Sequence, residues 1–345
     1  MSDTSTQDFY TQQAAEARGP EPPRPSRRKQ RRRRLKRVVI AAASSLVAVV
    51  GLVVGGGYLY LNHEIGSVQR IHVAALDAKD QPLAPPGSMT ILLTASGMFP
   101  GANVPTGLIE LIHFNADDQG GAVISFPANV LVHVPGHGEQ RLGETLALGG
   151  PSLMIETLEH LTHVRINHYS QVTFSGLEQI VGAIGGVHVE VPYPTTSFGI
   201  HFHAGINFID SANALAYVRQ PLVSQVTRTE LQENLFRAIL HKICSRGLFD
   251  TSNFGVLEAV VRAVSVDTNL SNDQLVHLAR NLARHMEGRG ESIVVPTTGP
   301  PDAGFSQPVD LRTRIANQLW RAIRRDKVAQ FTERFPFTVT PGAPG

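Results

Sequence analysis

Cysteine, aromatic residues and charge are all scarce in this chain. Of its 345 residues, one is cysteine and one is tryptophan, while 6% are aromatic and 17% are charged. A single cysteine excludes an intrachain disulfide and any cysteine-based metal cluster, because both need at least two thiols. Cys244 lies in a helical pattern, where a buried and unreactive thiol is the expected environment.

The chain has almost no net charge, but its charges are unevenly distributed. Residues 1–37 hold 11 of the 31 lysines and arginines and only 4 of the 29 acidic residues, so the remainder is mildly acidic. A nucleic-acid-binding face depends on clustered cations that neutralise phosphates. The composition therefore predicts that the globular part does not bind nucleic acid.

A long uncharged run follows the basic N-terminal segment. Ten cationic residues lie between Arg24 and Arg37, and the next 24 residues, Val38–Leu61, carry no charge. About 20 apolar residues cross a bilayer as a helix, and lysine and arginine accumulate on its cytoplasmic side. We therefore predict a disordered basic cytoplasmic tail at 1–37, an uncleaved transmembrane helix at 38–61 and an extracytoplasmic body. A cleaved signal peptide is disfavoured, because no short apolar region with an Ala-x-Ala type of site is evident.

The clearest fold signal lies at residues 166–192. Two unlike sets of side chains alternate over Ile166–Phe174, which is typical of a strand. Ser175 and Glu178 have the spacing of a capping box at a helix start, and two glycines end the helical pattern. Period-2 alternation resumes at Val187. The stretch therefore predicts strand, helix and strand with short connections, as in an α/β layer.

Shorter signals continue on both sides of this unit. Apolar strands are predicted near residues 89–93, 108–114, 122–126 and 131–134, and helices near 151–161, 210–218, 227–246 and 311–325. Together they predict an α/β fold in which a mixed central β-sheet is flanked by helices on both sides. We place this domain at residues 88–330, after a stalk or first edge strand at 62–87 and before a flexible tail at 331–345.

Several of these segments resemble motifs of the LytR-CpsA-Psr family of bacterial cell-envelope proteins. The resemblance centres on HY-x-x-V-x-FSG and GGV-x-V-x-VP within residues 166–192 and covers roughly residues 88–245. Further matching segments are ILLTAS at 91–96, LIHFN at 111–115, ISFP at 124–127, LGGP at 148–151 and NALAYVR at 213–219. The resemblance implies an α/β fold and transfer of phosphate-linked glycopolymers from a polyprenyl pyrophosphate carrier to peptidoglycan, assisted by magnesium.

Most residues that carry charge in the family motifs are substituted in this chain. Where the resemblance implies Gly-Ser-Asp-Ser-Arg, the chain has Ala95–Phe99, and Gly107 replaces the Asp of Arg-Ser-Asp-Thr. Ala128 and Asn129 stand at the Arg and Asp of Ile-Pro-Arg-Asp, and Gly143 stands at the Asn of Lys-Ile-Asn. A hard divalent cation needs carboxylate oxygens. We therefore predict no metal site and no cofactor, although the family resemblance implies magnesium.

Four residues at family positions keep groups that can bind a phosphate. Arg219 closes NALAYVR, and Arg228 and Gln232 match the Arg-x-x-Arg-Gln pattern that follows it. Arg141 replaces one cation with another. Arg228 falls in the first turn of a helix that Thr227 is predicted to cap, where free N–H groups and the helix dipole favour an anion. The alternative is that Arg219 and Arg228 are ordinary surface cations.

Other candidate residues carry less weight. His201 and His203 alternate on one face, and His133 and His137 flank a turn, but a metal site needs three or four converging ligands. Arg237 is expected to be uninvolved, because it lies nearly three turns into the helix that contains Arg228.

The sequence supports two functions for a membrane-anchored protein of the cell envelope. The first is binding of a polyprenyl-(pyro)phosphate-linked glycopolymer in cell-wall assembly, with impaired catalysis. The second is an active phosphotransferase that attaches glycopolymers to peptidoglycan with rearranged catalytic residues. A transcription regulator does not fit a body that is predicted to lie beyond the membrane. Whether the apolar helices enclose a lipid tail or form an ordinary packed core stays open.

The cation run and the apolar span predict that residues 62–345 lie outside the cell membrane. Protease added to intact spheroplasts should digest the body of the protein and leave an N-terminal tag protected. Protection of the body together with loss of the tag would show the opposite orientation.

Overall fold

The fold is built on a mixed β-sheet. The computed structural model describes residues 65–96, 108–116, 121–218, 225–245, 254–284, 290–298 and 307–339. The strands within these residues are β1 (Gln69–Ile71), β2 (Met89–Ser96), β3 (Ile109–Phe114), β4 (Gly121–Ser125), β5 (Leu131–Val134), β6 (Gly138–Arg141), β7 (His168–Thr173), β8 (Val187–Val191), β9 (Thr195–Ser197), β10 (Ile200–Phe202), β11 (Gly205–Ile209), β12 (Val264–Asp267), β13 (Gly290–Val294), β14 (Thr297–Thr298) and β15 (Asp310–Leu311). The helices are α1 (Thr145–Thr162), α2 (Phe174–Ala183), α3 (Ala214–Val218), α4 (Gln225–Ser245), α5 (Phe254–Ala263), α6 (Asn272–Arg284), α7 (Thr313–Ile323) and α8 (Val328–Arg334).

Seven of these strands form the central sheet, in the order β1-β12-β7-β2-β3-β4-β13. Strands β2, β3 and β4 form an antiparallel meander, while β7 runs parallel to β2 and β13 runs parallel to β4. The other strands pair into ribbons, among them β5 with β6 and β8 with β11. The carboxyl ends of β2, β4, β7 and β13 therefore lie at one edge of the sheet, together with the start of β3. We call this the carboxyl edge.

Both faces of the central strands are buried, so alternate side chains enter two separate cores. All six residues of β3 are buried. Ile109 and Leu111 belong to the first core, to which α1 and α7 contribute, whereas Ile112 and Phe114 belong to the second core, to which α2, α3 and α4 contribute. The prediction of a mixed sheet with helices on both sides is confirmed.

The predicted strand-helix-strand unit at residues 166–192 forms, but its boundaries differ from the prediction. Helix α2 begins at Phe174, and its N-cap is Thr173, whose Oγ1 accepts a hydrogen bond from Gly176 N at 3.0 Å. Thr173 has extended backbone dihedrals, which place its hydroxyl at the helix start, so Ser175 is not the cap. Strand β8 is not part of the central sheet and pairs antiparallel with β11.

The folded domain begins before residue 88, where the sequence places its start. Strand β1 pairs with β12 at one edge of the sheet. Val73 and Leu76 are buried in the first core. Residues 65–87 therefore supply an edge strand and core side chains.

The domain also continues past residue 330. Residues 331–339, predicted as the start of a flexible tail, contain the end of α8 and the buried side chain of Phe331. Val339 forms an isolated antiparallel bridge with Ile293. The prediction fails here because the contacts that order this segment are made with partners far away in sequence.

The predicted cytoplasmic tail at 1–37 and transmembrane helix at 38–61 lie outside the described residues. Within the part of the chain that the structure describes, no helix is both long enough and apolar enough to cross a bilayer. The side chain of Cys244 is also outside the described part.

A buried histidine joins the end of β3 to the loop that follows α7. His113 forms hydrogen bonds with Thr90 Oγ1 at 2.9 Å and with Asp326 Oδ1 at 2.8 Å. Asp326 Oδ2 accepts a further hydrogen bond from the N–H of Ala116 at 3.1 Å. The hydrogen bond from His113 is the main cause that lowers the pKa of Asp326. These contacts attach the C-terminal helices to the edge of the sheet opposite the carboxyl edge.

Helix α2 packs closely against α5, and a glycine permits this approach. A Cβ atom on Gly176 would lie 2.5 Å from Ala263 Cβ and 2.8 Å from Ala263 Cα. A Cβ atom on Gly182, on the same helix, would lie 3.5 Å from Ser211 Cβ, which is an ordinary van der Waals contact. The two glycines therefore provide a matched pair for testing the helix contact.

We predict that Gly176→Ala lowers the free energy of unfolding by about 1–3 kcal/mol, because α2 and α5 must move apart to accept the methyl group. Gly182→Ala should be neutral or stabilising by up to about 1 kcal/mol, because alanine favours a helix over glycine. Urea unfolding of the full chain in detergent micelles measures both values. Equal effects of the two substitutions would contradict the packing described for Gly176.

Candidate functional site

Three strands that carry segments resembling family motifs end at the carboxyl edge. Ser96, Ser125 and Thr173 are the last residues of β2, β4 and β7. Because these strands run in the same direction, their last residues lie at one edge of the sheet. The substituted positions Gly97 and Gly107 lie outside the described residues.

A backbone hydrogen bond joins two of the substituted motifs near this edge. The N–H of Gly143 donates to the carbonyl oxygen of Ala128 at 2.8 Å, which joins two of the substituted positions. Asn129 Nδ2 donates to the carbonyl oxygen of Gln307 at 2.7 Å. Asn129 therefore holds the segment before β15 in place, and it offers no carboxylate to a ligand.

Gln232 links the two elements that precede and contain the predicted phosphate-binding arginines. Its Nε2 donates to the carbonyl oxygen of Val218 at 3.2 Å, and the residue is buried. Val218 ends α3 and directly precedes Arg219, which lies outside the described residues. Helix α4 already includes Gln225 and Val226, so Thr227 lies within the helix and is not its N-cap, contrary to the sequence prediction. Arg228 lies in the first described turn of α4, and its side chain is outside the described part.

Arg141 and Gln232 lie on elements that pack against different cores. Arg141 is the last residue of β6, and its Nη1 lies 3.5 Å from Glu144 Oε1. The ribbon of β5 and β6 packs on the first core through Val132 and Val134, whereas α4 contributes to the second core. The elements that carry Arg141 and Gln232 therefore pack against opposite faces of the sheet.

A cluster of charged side chains is buried between β3, β4 and α4. Glu110 on β3 and Glu233 on α4 are both 0% exposed, and Arg237, one helical turn after Glu233, is 8% exposed. Ser125 Oγ donates to Glu110 Oε1 at 3.3 Å. Glu110 Oε2 has no hydrogen-bond partner among the described residues. Since an unpaired buried charge is costly, the charge state of each member depends on the others.

The cluster is neutral if Glu110 holds a proton. Burial raises the pKa of Glu110 well above its ordinary value, and the nearby charge of Glu233 raises it further. Burial lowers the pKa of Arg237, and the charge of Glu233 opposes that effect. Burial therefore favours the neutral form of Glu110, and the charge of Glu233 favours the positive form of Arg237.

The sequence predicts that Arg237 takes no part in binding, and the structure shows that its side chain is buried. Helix α4 contacts α3, α6 and β8, so more of its circumference is buried than its apolar stripe indicates. Arg237 is buried on that wider surface, so it is not a neutral surface control. In the sequence, the residue that could have indicated this buried cluster is Glu110, because it is a charged residue in the mostly apolar strand IELIHF.

The described residues do not fit a magnesium ion. Mg²⁺ needs oxygen ligands in near-octahedral geometry, usually from carboxylates together with phosphates and water. In the cluster, burial favours a protonated Glu110, and Arg237 balances the charge of Glu233. Among the residues that the structure describes, no group of three or more His, Cys, Asp or Glu side chains could hold a metal.

The histidine candidates are separate pairs rather than converging ligands. His201 Nδ1 forms a hydrogen bond with Thr196 Oγ1 at 2.8 Å, in an open groove that His203 also lines. His133 Nδ1 lies 3.7 Å from Glu139 Oε1, and both side chains are largely exposed. In the described part of the chain, neither pair is joined by the further ligands that a metal requires.

A second buried oxygen lies in the same core as Glu110. Tyr217, within NALAYVR, packs edge-on against Phe202 with ring centroids 5.6 Å apart. Its hydroxyl has no hydrogen-bond partner among the described residues, and burial raises its pKa. Tyr217 Oη and Glu110 Oε2 are therefore both buried oxygens without a hydrogen-bond partner among the described residues.

Comparison with known proteins identifies the family. A sequence profile of the LytR_cpsA_psr family matches residues 102–322, more than half of the chain. The chain belongs to the LytR-CpsA-Psr family. A family relative named "Probable cell wall biosynthesis protein LcpB", from Corynebacterium glutamicum, is 32% identical over 178 residues, which cover 50% of this chain and 42% of LcpB. The polyisoprenyl-teichoic acid--peptidoglycan teichoic acid transferase TagU of Enterococcus faecalis is 30% identical over 214 residues, covering 59% of this chain and 69% of TagU.

Solved structures related to the LytR-CpsA-Psr family share the fold. The LytR-Csp2A-Psr enzyme from Actinomyces oris superposes with a TM-score of 0.61 at 21% identity, covering 74% of this chain and 95% of that chain. B. subtilis TagV superposes with a TM-score of 0.57 at 15% identity, covering 70% of this chain and 98% of that chain. At these identities the similarity establishes the fold alone.

Glu110→Gln is predicted to reduce the pH dependence of stability. Folded Glu110 holds its proton more tightly than the unfolded chain, so its contribution to stability is fully present below its ordinary pKa of 4.5. As the pH rises above that value, the contribution falls by up to about 1.4 kcal/mol per pH unit until the pH passes the raised pKa. Glutamine stays neutral and still accepts from Ser125. Urea unfolding between about pH 5 and 8 should therefore give a shallower slope for Glu110→Gln.

Glu159 provides a matched comparison outside the cluster. Burial raises its pKa to about 7, and it accepts a hydrogen bond from the N–H of Ile166 at 2.8 Å. Glu159→Gln should flatten the curve only up to about pH 7. If the wild type and Glu110→Gln gave parallel curves while Glu159→Gln gave a shallower one, the protonated state assigned to Glu110 would be wrong.

Proposed function

We propose that this protein binds a polyprenyl-(pyro)phosphate-linked glycopolymer in cell-wall assembly and that its catalytic activity is impaired. Family membership supports a role in the cell envelope. Relatives named for cell wall biosynthesis and for transfer of teichoic acid to peptidoglycan support a glycopolymer and peptidoglycan as partners.

The hydrogen bond between Gln232 and Val218 supports the proposal that Arg219 and Arg228 bind the phosphate together. Val218 directly precedes Arg219, and Gln232 follows Arg228 by four residues, which is about one helical turn. The bond therefore fixes the two elements from which both arginines extend. Guanidinium groups grip phosphate oxygens in pairs, and free N–H groups at a helix start favour an anion.

We assign the lipid-phosphate end of the ligand to the side of the second core. Its helices α2, α3 and α4 supply apolar side chains that suit a hydrocarbon. Tyr217 Oη and a protonated Glu110 Oε2 are hydrogen-bond donors, whereas phosphate and sugar oxygens are acceptors. The two buried oxygens thus support a ligand with polar groups next to an apolar tail.

The proposal of impaired catalysis is supported by the substitution of charged residues in the family motifs. Gly97, Gly107 and Asn129 stand where the family resemblance implies carboxylates, and the described residues do not fit magnesium. The alternative is an active phosphotransferase with rearranged catalytic residues. Release of polyprenyl phosphate from a lipid-pyrophosphate donor, at a rate near that of an unsubstituted family member, would favour this alternative.

We also propose that residues 38–61 anchor the protein as a single transmembrane helix. The basic segment 1–37 would then be cytoplasmic, and the folded domain would lie outside the membrane. This placement would bring the domain close to lipid-linked precursors at the outer face of the membrane.

We predict that Arg219→Ala or Arg228→Ala weakens binding of a short-chain polyprenyl phosphate by roughly tenfold to a hundredfold, because each removes charge-assisted hydrogen bonds worth about 1.5–3 kcal/mol. Lysine at either position should give an intermediate affinity, because an ammonium keeps the charge but not the planar fork. The measurement is a titration of the full chain in detergent micelles.

Arg262→Ala serves as the control, because Arg262 is exposed on α5 and pairs with Glu258 on the same helix. Thermal unfolding of each variant shows whether the fold is retained. Equal affinities for the wild type and the folded Arg219→Ala/Arg228→Ala variant would mean that both arginines are surface residues and that the phosphate proposal is wrong.

A further inference from the structure

The C-terminal end of α7 and the residues after it concentrate positive charge. This cationic face consists of Arg321, Arg324, Arg325 and Lys327. Arg324 is half-buried, and the other three are exposed. Burial lowers the pKa of Arg324, and the like charges of Arg321 and Arg325 lower it further. The crowding of like charges raises the energy of this surface when it has no anionic partner.

The acidic residue within this stretch does not neutralise the cationic face. Asp326 is bound to His113 Nε2 and to the N–H of Ala116 at the end of β3. Among the ion pairs of the described residues, none includes a member of the cationic face. The positive charge is therefore presented outward.

The geometry of the cationic face is held in place by packing. Leu319, Trp320 and Ile323 bury the opposite side of α7 in the first core. The guanidinium Nη1 of Arg324 donates to the carbonyl oxygen of Thr162 at the end of α1. Little conformational freedom of α7 is therefore lost when a ligand binds to its exposed side.

We propose that the cationic face is a docking surface for a linear polyanion with repeated phosphate groups. Three of its four cations are arginines, whose planar forks match pairs of phosphate oxygens. Arg321 lies in the last turn of α7, Arg324 is the C-cap of that helix, and Arg325 follows in the turn, so these three cations are close enough along the chain to contact one polymer together. The contact of Asp326 with His113 places this surface at the edge opposite the carboxyl edge, so docking does not depend on the proposed phosphate site.

An anionic bilayer fits the cationic face less well than a soluble polymer. A helix that lies on a membrane inserts an apolar face between the lipids. In α7, Leu319, Trp320 and Ile323 are already buried within the protein. Its exposed residues near this end, such as Asn317 and Arg321, are polar.

The test is binding of long-chain linear polyphosphate to the full chain in neutral detergent micelles. Every sample carries a common background in which the cations of residues 24–37 are replaced by glutamine, because that segment would itself bind a polyanion. Arg321→Ala/Arg325→Ala is compared with Lys79→Ala/Arg262→Ala, which removes the same charge from exposed positions elsewhere. A second arm measures binding of the same samples to vesicles that contain phosphatidylglycerol.

We expect Arg321→Ala/Arg325→Ala to bind polyphosphate roughly tenfold more weakly at low salt and Lys79→Ala/Arg262→Ala to bind it like the background protein. If the alanine variant unfolds, Arg321→Gln/Arg325→Gln replaces it. Equal binding by the two double variants would overturn the proposal. Loss of vesicle binding without loss of polyphosphate binding would also overturn it, because the surface would then belong to a bilayer.

Discussion

Burial of the central strands on both faces is the constraint on which the rest of this structure depends. Because every residue of β3 lies within a core, a polar side chain on that strand must find its partners inside the protein. Glu110 bonds with Ser125 on the neighbouring strand, and burial raises its pKa, while His113 bonds with Thr90 and Asp326. The bond from His113 therefore connects the sheet to the segment after α7, and Glu110 lies close enough to Glu233 on α4 to feel its charge.

Sequence patterns predict the parts of the fold that depend on local chemistry. Alternation and paired glycines locate β7, α2 and β8, and the motif resemblance predicts a family and a sheet arrangement that are now confirmed. The helix boundary shifts because Thr173 and Ser175 are both able to cap, and the backbone dihedrals decide between them. The absence of charge at Gly97 and Gly107 is read directly from the sequence, whereas the effect on catalysis stays a proposal.

Contacts between distant segments are the parts that sequence patterns could not predict. Gln69 pairs with Ser265, and nothing in the local composition of either segment indicates the other. The buried cluster has the same origin, because Glu110 and Glu233 look unremarkable until β3 and α4 face each other. The burial of Arg237 could not be predicted for the same reason. An apolar stripe indicates which side of a helix faces the core, but it does not indicate how many neighbouring elements cover the other sides. At the candidate site, the structure therefore describes the helices around Arg219 and Arg228, while phosphate binding by these two arginines stays a proposal.

Two strands that complete the sheet, one on each side of its centre, come late in the chain. Strand β12, which pairs with β7 and receives β1, spans Val264–Asp267, and β13, which pairs with β4, spans Gly290–Val294. During synthesis, β2, β3, β4 and β7 are therefore complete while β12 and β13, the neighbours of β7 and β4, are still missing. Open strand edges are templates for intermolecular pairing, and non-local pairing slows folding. The outer edges of β7 and β4 thus stay open to intermolecular pairing until β12 and β13 have emerged, and a premature stop before β12 would leave both edges exposed.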